Sequence, residues 1–266
     1  MTPKDSHYAR LRRRYRVARL SEFVPMNKDC IWYYGFHTVE AILHNPKRRI
    51  HRLFITKNAY RKLNPGNLIS ASSLKVIESK MLTRFLGSEV VHQGILIETE
   101  SLVAKNLDDL HRFSLIIVLD QVTDPHNVGA IMRSAVAFGA HAVIATQRYS
   151  PKESAILAKT ASGAFDLIDY ITVNNLSEAL KTLHEMGFKT VALDSEGPHL
   201  LHFSFSGQKL ALVLGAEGKG LRKKIKETVS VLARFDMPGV IKNLNVSNAA
   251  AIALYSAHSY LKQFNI

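Results

Sequence analysis

Hydrophobic positions along this chain fall into two regimes that meet near residue 114. In the first, Tyr34 to Leu43 carries Val39, Ile42 and Leu43 at helical spacing, and Pro46 stops the run. Arg52 to Thr56 and Gly94 to Glu98 alternate as strands do, and Lys75 to Ile77 reads as a shorter strand. Ser79 to Leu86 reads as a helix closed by Gly87. These elements predict a small α/β unit over about Trp32 to Leu102, followed by a polar connector at 101–113. From Ser114 the pattern becomes strand–helix alternation. Leu115-Ile116-Ile117-Val118-Leu119 is a continuous apolar run, as expected of a strand buried on both faces. Val128, Ile131, Met132, Ala135 and Phe138 mark a helix ended by Gly139, and Ala142 to Ala145 is the next strand. Ser150-Pro151-Lys152-Glu153 reads as a capping box that opens a helix with proline at its first position, closed by Gly163. Strand Tyr170–Val173, helix Ser177–Met186 and strands Thr190–Leu193, Leu210–Leu214 and Val231–Phe235 follow, then a long Ala-rich helix, Val246–Phe264. Such alternation predicts an α/β fold with a mostly parallel sheet flanked by helices.

Composition adds a class of partner. The 266 residues are 47% hydrophobic, enough for a substantial core, and carry 35 Lys and Arg against 22 Asp and Glu, a net charge of +13. A balance this basic points to a polyanion, because each cation near a phosphate releases condensed counterions. Much of it sits in residues 1–28, where Lys4, Arg10, Arg12, Arg13, Arg14, Arg16 and Arg19 face only Asp5 and Glu22. That stretch is expected to be a disordered tail, either an RNA tether or a solubilising extension. The remaining boundaries are expected at 29–104 and 105–266. Cys30 alone excludes an internal disulfide or a Cys-rich zinc site, and His199-x-x-His202 reads as loop and surface histidines, so no metal is expected. There is no apolar run of the roughly 20 residues that cross a bilayer and no secretory signal, so a cytoplasmic protein is expected, with a mitochondrial transit peptide as the alternative reading of the Arg-rich, acid-poor N-terminus.

Three strand-to-helix junctions carry the candidate chemistry, since ligands of open α/β sheets bind outside the carboxyl ends of strands. In Asp120 to Ala135, Asn127 is placed to cap a helix, Gly129 implies a close approach by backbone or ligand, and Arg133 follows. In Leu214-Gly215-Ala216-Glu217-Gly218-Lys219-Gly220-Leu221, glycines let the backbone turn tightly against a ligand. The spacing matches neither a dinucleotide fingerprint nor a nucleoside triphosphate loop. In Met237 to Ala251, Asn245 and Ser247 lie at the mouth of the last helix. Taken singly, each junction also reads as ordinary capping or a surface loop.

Taken together, D-P-H-N-V-G-A-I-x-R-S-A, L-G-A-E-G-x-G-L and L-N-V-S-x-A-x-A-I resemble, in order, the three motifs of the SpoU (TrmH) family of RNA 2′-O-methyltransferases within the SPOUT superfamily. Gly35-Phe36-His37-Thr38-Val39 and His92-Gln93-Gly94 resemble landmarks of that family's L30e-like substrate-binding domain. The resemblance implies a C-terminal trefoil knot, a homodimer with its active site assembled across the interface, and S-adenosylmethionine as methyl donor. It implies that Leu214, Gly215, Gly220, Met237 and Leu244 bind that donor, and that Asn127, Arg133, Glu217, Asn245 and Ser247 are catalytic or shape the site. The substrate it implies is RNA, with a guanosine of the large ribosomal subunit expected first. Transfer RNA, or a non-catalytic RNA-binding role on the same fold, stands as the alternative.

Overall fold

A computed structural model describes residues 23–264. The basic run at 4–19 therefore lies outside the described residues. Phe23, assigned to the tail by its sequence, is buried in an aromatic cluster with Trp32, Phe54 and Phe85.

The first sheet contains β1 (Cys30–Tyr34), β2 (Ile50–Ile55), β3 (Leu74–Val76) and β4 (Ile95–Glu100), in the order β1-β4-β2-β3. β4 runs antiparallel to both neighbours, while β2 and β3 are parallel. Helices α1 (Phe36–His44), α2 (Lys57–Leu63) and α3 (Ser79–Leu86) connect them. Sequence periodicity missed β1 and placed Tyr34 in a helix. Gly35, at φ 92°, breaks the chain there, so that Tyr34 ends the strand and Phe36 starts the helix. It also missed α2, a polar surface helix with only Ala59 buried, whose signals are local: Thr56 accepts from the Ala59 N–H, and Asn64 ends it in a left-handed conformation.

The second sheet has seven strands: β5 (Leu115–Asp120), β6 (Ala142–Thr146), β7 (Asp169–Val173), β8 (Lys189–Leu193), β9 (His199–Leu200), β10 (Leu210–Gly215) and β11 (Val231–Arg234). Their order is β7-β6-β5-β10-β8-β11-β9, and every pair is parallel. Helices α4 (Pro125–Ala137), α5 (Ala155–Ala161), α6 (Leu176–Glu185), α7 (Lys223–Thr228) and α8 (Val246–Leu261) flank it, and all six residues of β5 are buried. The chain builds outward from β5 through β6 to β7, then crosses to β8 before β10 inserts beside β5. The order therefore reverses between β5 and β10, where Gly215 is the register partner of Asp120. That reversal leaves a crevice at the carboxyl ends.

Two expected caps move. α4 begins at Pro125, with Asp124 accepting from the His126 N–H, so Asn127 lies inside the first turn rather than capping it. α5 is capped by Ser154, which accepts from the Leu157 N–H, so Pro151 is not its first residue. A four-residue signal read as a capping box was displaced because Glu153 is needed elsewhere. Glu153 Oε1 accepts from Tyr33 Oη at 2.5 Å and Arg48 Nη1 at 2.6 Å, and Oε2 accepts from the Leu102 N–H at 3.0 Å. Gly129 is required by helix packing, since a Cβ there would lie 2.7 Å from Thr160 Cβ and 2.9 Å from the Ala161 nitrogen. The close approach is therefore made by α5 backbone.

The seam between the two sheets is polar and buried. The Arg48 side chain, with no exposed surface, donates through Nε to Asp166 Oδ1 at 2.6 Å and through Nη1 to the Glu100 carbonyl at 3.1 Å, besides Glu153. Burial raises the Tyr33 phenol well above its ordinary range, helped by Glu153, so it stays a donor. Removing one partner from such a network strands a buried charge. Arg48→Ala is expected to lower stability by about 3–5 kcal/mol in urea denaturation; a loss below ~1 kcal/mol would contradict a buried, fully paired guanidinium.

Among the described residues no helix is long and apolar enough to cross a membrane, and no His, Cys, Asp or Glu cluster is placed to hold a metal ion. His199 and His202 are both exposed, one in β9 and one in a short turn after it.

Candidate active site

The crevice is built from the backbone upward. Asp120, wholly buried at the end of β5, accepts from the Arg222 backbone N–H at 3.0 Å and from Arg222 Nε at 2.7 Å. This pair ties the far end of the 215–222 loop to the neighbouring strand. Within the loop, Gly220 N–H donates to the Ala216 carbonyl at 2.8 Å, and Gly218 and Gly220 take φ values of 80° and 64°. At Gly215 the constraint is space. A Cβ would lie 2.3 Å from the Gly220 carbonyl carbon and 2.5 Å from the Leu221 nitrogen. Only glycine lets the loop fold back so tightly.

The loop forms one wall of a cavity of about 550 Å³, within the size range of small-molecule sites. Leu214, Gly215, Gly220, Met237 and Leu244 all line it, as do Glu217 and Asn245. Lys242 folds back to donate to the Met237 carbonyl, which closes the 237–244 segment on itself. The opposite wall comes from the end of β8. Asp194 there pairs with Lys226 Nζ at 2.5 Å. Burial pushes the Asp194 carboxyl up, but Lys226 and the Glu196 N–H more than reverse this and hold it below its ordinary value.

At the mouth, three side chains from three junctions close a triangle. Asn127 Nδ2 donates to Glu217 Oε2 at 3.2 Å. Asn245 Nδ2 donates to Asn127 Oδ1 at 3.1 Å and approaches Glu217 Oε1 at 3.5 Å. Asn245 Oδ1 accepts from the Ser247 N–H at 2.9 Å and Ser247 Oγ at 2.6 Å, so Asn245 both caps α8 and orients the triangle. Asn245→Ala is expected to cost about 1 kcal/mol of helix capping and a larger share of turnover, read by thermal melting and initial rates. Unchanged turnover would mean that the triangle does not shape the site.

Four of the five residues expected to be catalytic thus come together. Arg133 does not join them. It lies six residues beyond Asn127 on α4, about 9 Å along the helix axis, and is exposed. Sequence reasoning missed Asp120–Arg222 and Asp194–Lys226. Asp120 stood inside the first motif, where its position at a strand end was the available signal. Asp194 had none, because the lateral order that brings β8 to the cavity is not a local property.

Against known proteins, residues 114–255 match the SpoU rRNA Methylase family, and residues 32–102 match the family described as RNA 2'-O ribose methyltransferase substrate binding. A protein of Ralstonia nicotianae named 23S rRNA (guanosine-2'-O-)-methyltransferase RlmB is 37% identical over 232 residues, covering 84% of this chain and 93% of that protein. The Escherichia coli protein of the same name is 34% identical over 233 residues, covering 84% and 96%. In fold, the chain resembles the SpoU methyltransferase AviRb of Streptomyces viridochromogenes, solved in complex with the cofactor AdoMet, with a TM-score of 0.74 at 19% identity over 93% of this chain and 97% of that one. With its three motifs gathered at one crevice and matches of this extent, the chain belongs to the SpoU rRNA methylase family.

Proposed function

We propose that this protein transfers a methyl group from S-adenosylmethionine to the ribose 2′-hydroxyl of a guanosine in large-subunit ribosomal RNA. The observation that carries the reading is the Asn127–Glu217–Asn245 triangle at the mouth of a glycine-walled cavity. The cavity fits the donor chemically. Leu193, Leu214, Phe235 and Leu244 offer apolar walls, the backbone at Gly220 stands open to close approach, and Glu196 and Glu217 bring carboxylates to a cationic ligand. When bound, S-adenosylmethionine supplies a sulfonium methyl group.

The chain's own residues then have two tasks. Asn127 and Asn245, fixed by Glu217 and the α8 cap, position a ribose against the cavity mouth; such positioning is worth several kcal/mol. Arg133 supplies charge. A guanidinium is a poor base and a good donor to oxyanions, so it pairs with an RNA phosphate or the developing oxyanion rather than removing the 2′-proton.

The reading includes a homodimer. Val240 and Ile241 are 98% and 74% exposed beside the cavity, and Ile252 and Tyr255 lie exposed on α8. In this reading a second copy covers these apolar residues, and the active site shared across the interface, which the family resemblance implies, draws its arginine from the other copy, since Arg133 of the same chain does not join the triangle. The reading also includes the knotted path implied by the family resemblance, a cytoplasmic setting, residues 29–104 as the RNA-binding unit and 105–266 as the catalytic one. Calorimetric titration tests the cavity: micromolar binding of S-adenosylmethionine is expected, and no heat with either the donor or its demethylated product would end the proposal.

A further inference from the structure

The two landmarks of the first unit take no part in the cavity, yet both converge on one side chain of the second. Lys159, on α5, donates through Nζ to Gln93 Oε1 at 3.1 Å. The same oxygen accepts from the Phe36 N–H at 2.8 Å. The Lys159 ammonium lies 6.0 Å from the centroid of the Tyr34 ring. Gly35 forms the bed for its aliphatic stem: a Cβ there would lie 2.4 Å from Nζ and 2.8 Å from Cδ. Gln93 is itself held at φ 57°, a conformation that non-glycine residues seldom adopt.

This is a niche constructed around a cation. Among the described residues no carboxylate pairs with Lys159; its hydrogen-bond acceptor is a neutral amide. Burial lowers its pKa with no opposing charge to restore it, and its nearby ionisable group is the basic His92. A half-buried ammonium with one neutral partner is incompletely satisfied, and an anionic ligand would complete it. The niche also lies beside the first turn of α4, which carries Asn127. Thr160, the next residue, has Oγ1 3.3 Å from His126 Nδ1, and His126 precedes Asn127. On the other side, Lys62 Nζ lies 4.3 Å from the Phe36 ring centroid and extends the positive surface.

We propose that Lys159 is a phosphate-binding residue that holds the RNA backbone where it passes from the first unit to the Asn127–Glu217–Asn245 triangle, in a niche formed by Gly35, Tyr34 and Gln93. Its ligand rests on the functional reading above. An ammonium suits the task as a compact point charge on a stem that Gly35 leaves room for.

The test uses the full chain and a large-subunit rRNA transcript, with affinity measured by fluorescence anisotropy across a salt series. K159Q is expected to reduce the slope of log affinity against log salt by about 0.7–0.9, the share of one phosphate contact. K159R is expected to keep the wild-type slope, and calorimetric affinity for S-adenosylmethionine should not change in either variant. A wild-type slope in K159Q overturns the proposal alone; a wild type that binds no rRNA overturns the functional reading with it. A weakened K159Q whose defect K159R shares, together with a lowered melting temperature in both, assigns the lysine a purely structural role and also overturns it. Acetylation of the wild-type protein gives an independent check that needs no variant. Saturating RNA should shield Lys159 from acetic anhydride, and full modification in its presence contradicts the contact.

Discussion

Arg133→Ala should reduce methyl transfer by about 10²–10³-fold, the loss typical of one group that stabilises developing transition-state charge, while S-adenosylmethionine affinity stays unchanged. The asymmetry follows from position. Arg133 is exposed on α4 and does not line the cavity, so its removal disturbs neither the cavity walls nor the core. Stability should therefore hold within about 0.5 kcal/mol, as for surface substitutions generally. A mixed-dimer experiment separates its two possible settings. Combining Arg133→Ala subunits with subunits disabled at Asn245 should regenerate one working site per heterodimer if the arginine serves the partner's triangle. Near-normal turnover in the single variant would remove Arg133 from the chemistry altogether.

Gly215→Ala is the substitution expected to harm the cavity most. Its new Cβ would stand 2.3 Å from the Gly220 carbonyl carbon and 2.5 Å from the Gly220 oxygen, which are backbone atoms without rotamers to yield. Two residues on, the backbone N–H and side chain of Arg222 are fixed to buried Asp120, so the loop cannot retreat at that end. The strain must be relieved by opening the cavity wall. We expect a stability loss of about 1–3 kcal/mol, as for overpacking, and at least ~10-fold weaker donor binding, worth about 1.4 kcal/mol. Gly218→Ala and Gly220→Ala provide the control. Neither Cβ would meet an atom within 4 Å, and only their φ values of 80° and 64° oppose the change. Each should cost about 1 kcal/mol; donor affinity should hold in Gly218→Ala, while Gly220→Ala serves as a control for stability alone because its backbone faces the donor. Equal effects at all three glycines would refute the steric explanation.

Much of this site could be read from residue order because its parts are local. Leu214, Gly215, Gly220, Met237 and Leu244 all sit at strand-to-helix junctions, and strand–helix alternation already places those junctions on one side of a parallel sheet. The triangle was legible for the same reason, although Asn127's part in it was misread: Asp124 supplies the cap, which frees the Asn127 amide to face Glu217. What stayed hidden depends on distance along the chain. Glu153 looked like part of a helix start, but Tyr33 and Arg48 claim it from 120 and 105 residues away. Lys159 carries no signal within its own helix, because its setting is made by Gly35 and Gln93 of the first unit. β1 escaped because a single glycine at φ 92° converts strand to helix without any change in hydrophobic content.

The most direct test of the proposed chemistry is to follow the methyl group to its atom. Large-subunit ribosomal RNA and transfer RNA, each prepared without 2′-O-methylation, would be incubated separately with the protein and labelled S-adenosylmethionine, digested to nucleosides and resolved by mass spectrometry. Label is predicted in 2′-O-methylguanosine from the large-subunit RNA, at one position. Label on a base, label confined to transfer RNA, or none at all despite measurable donor binding would contradict it.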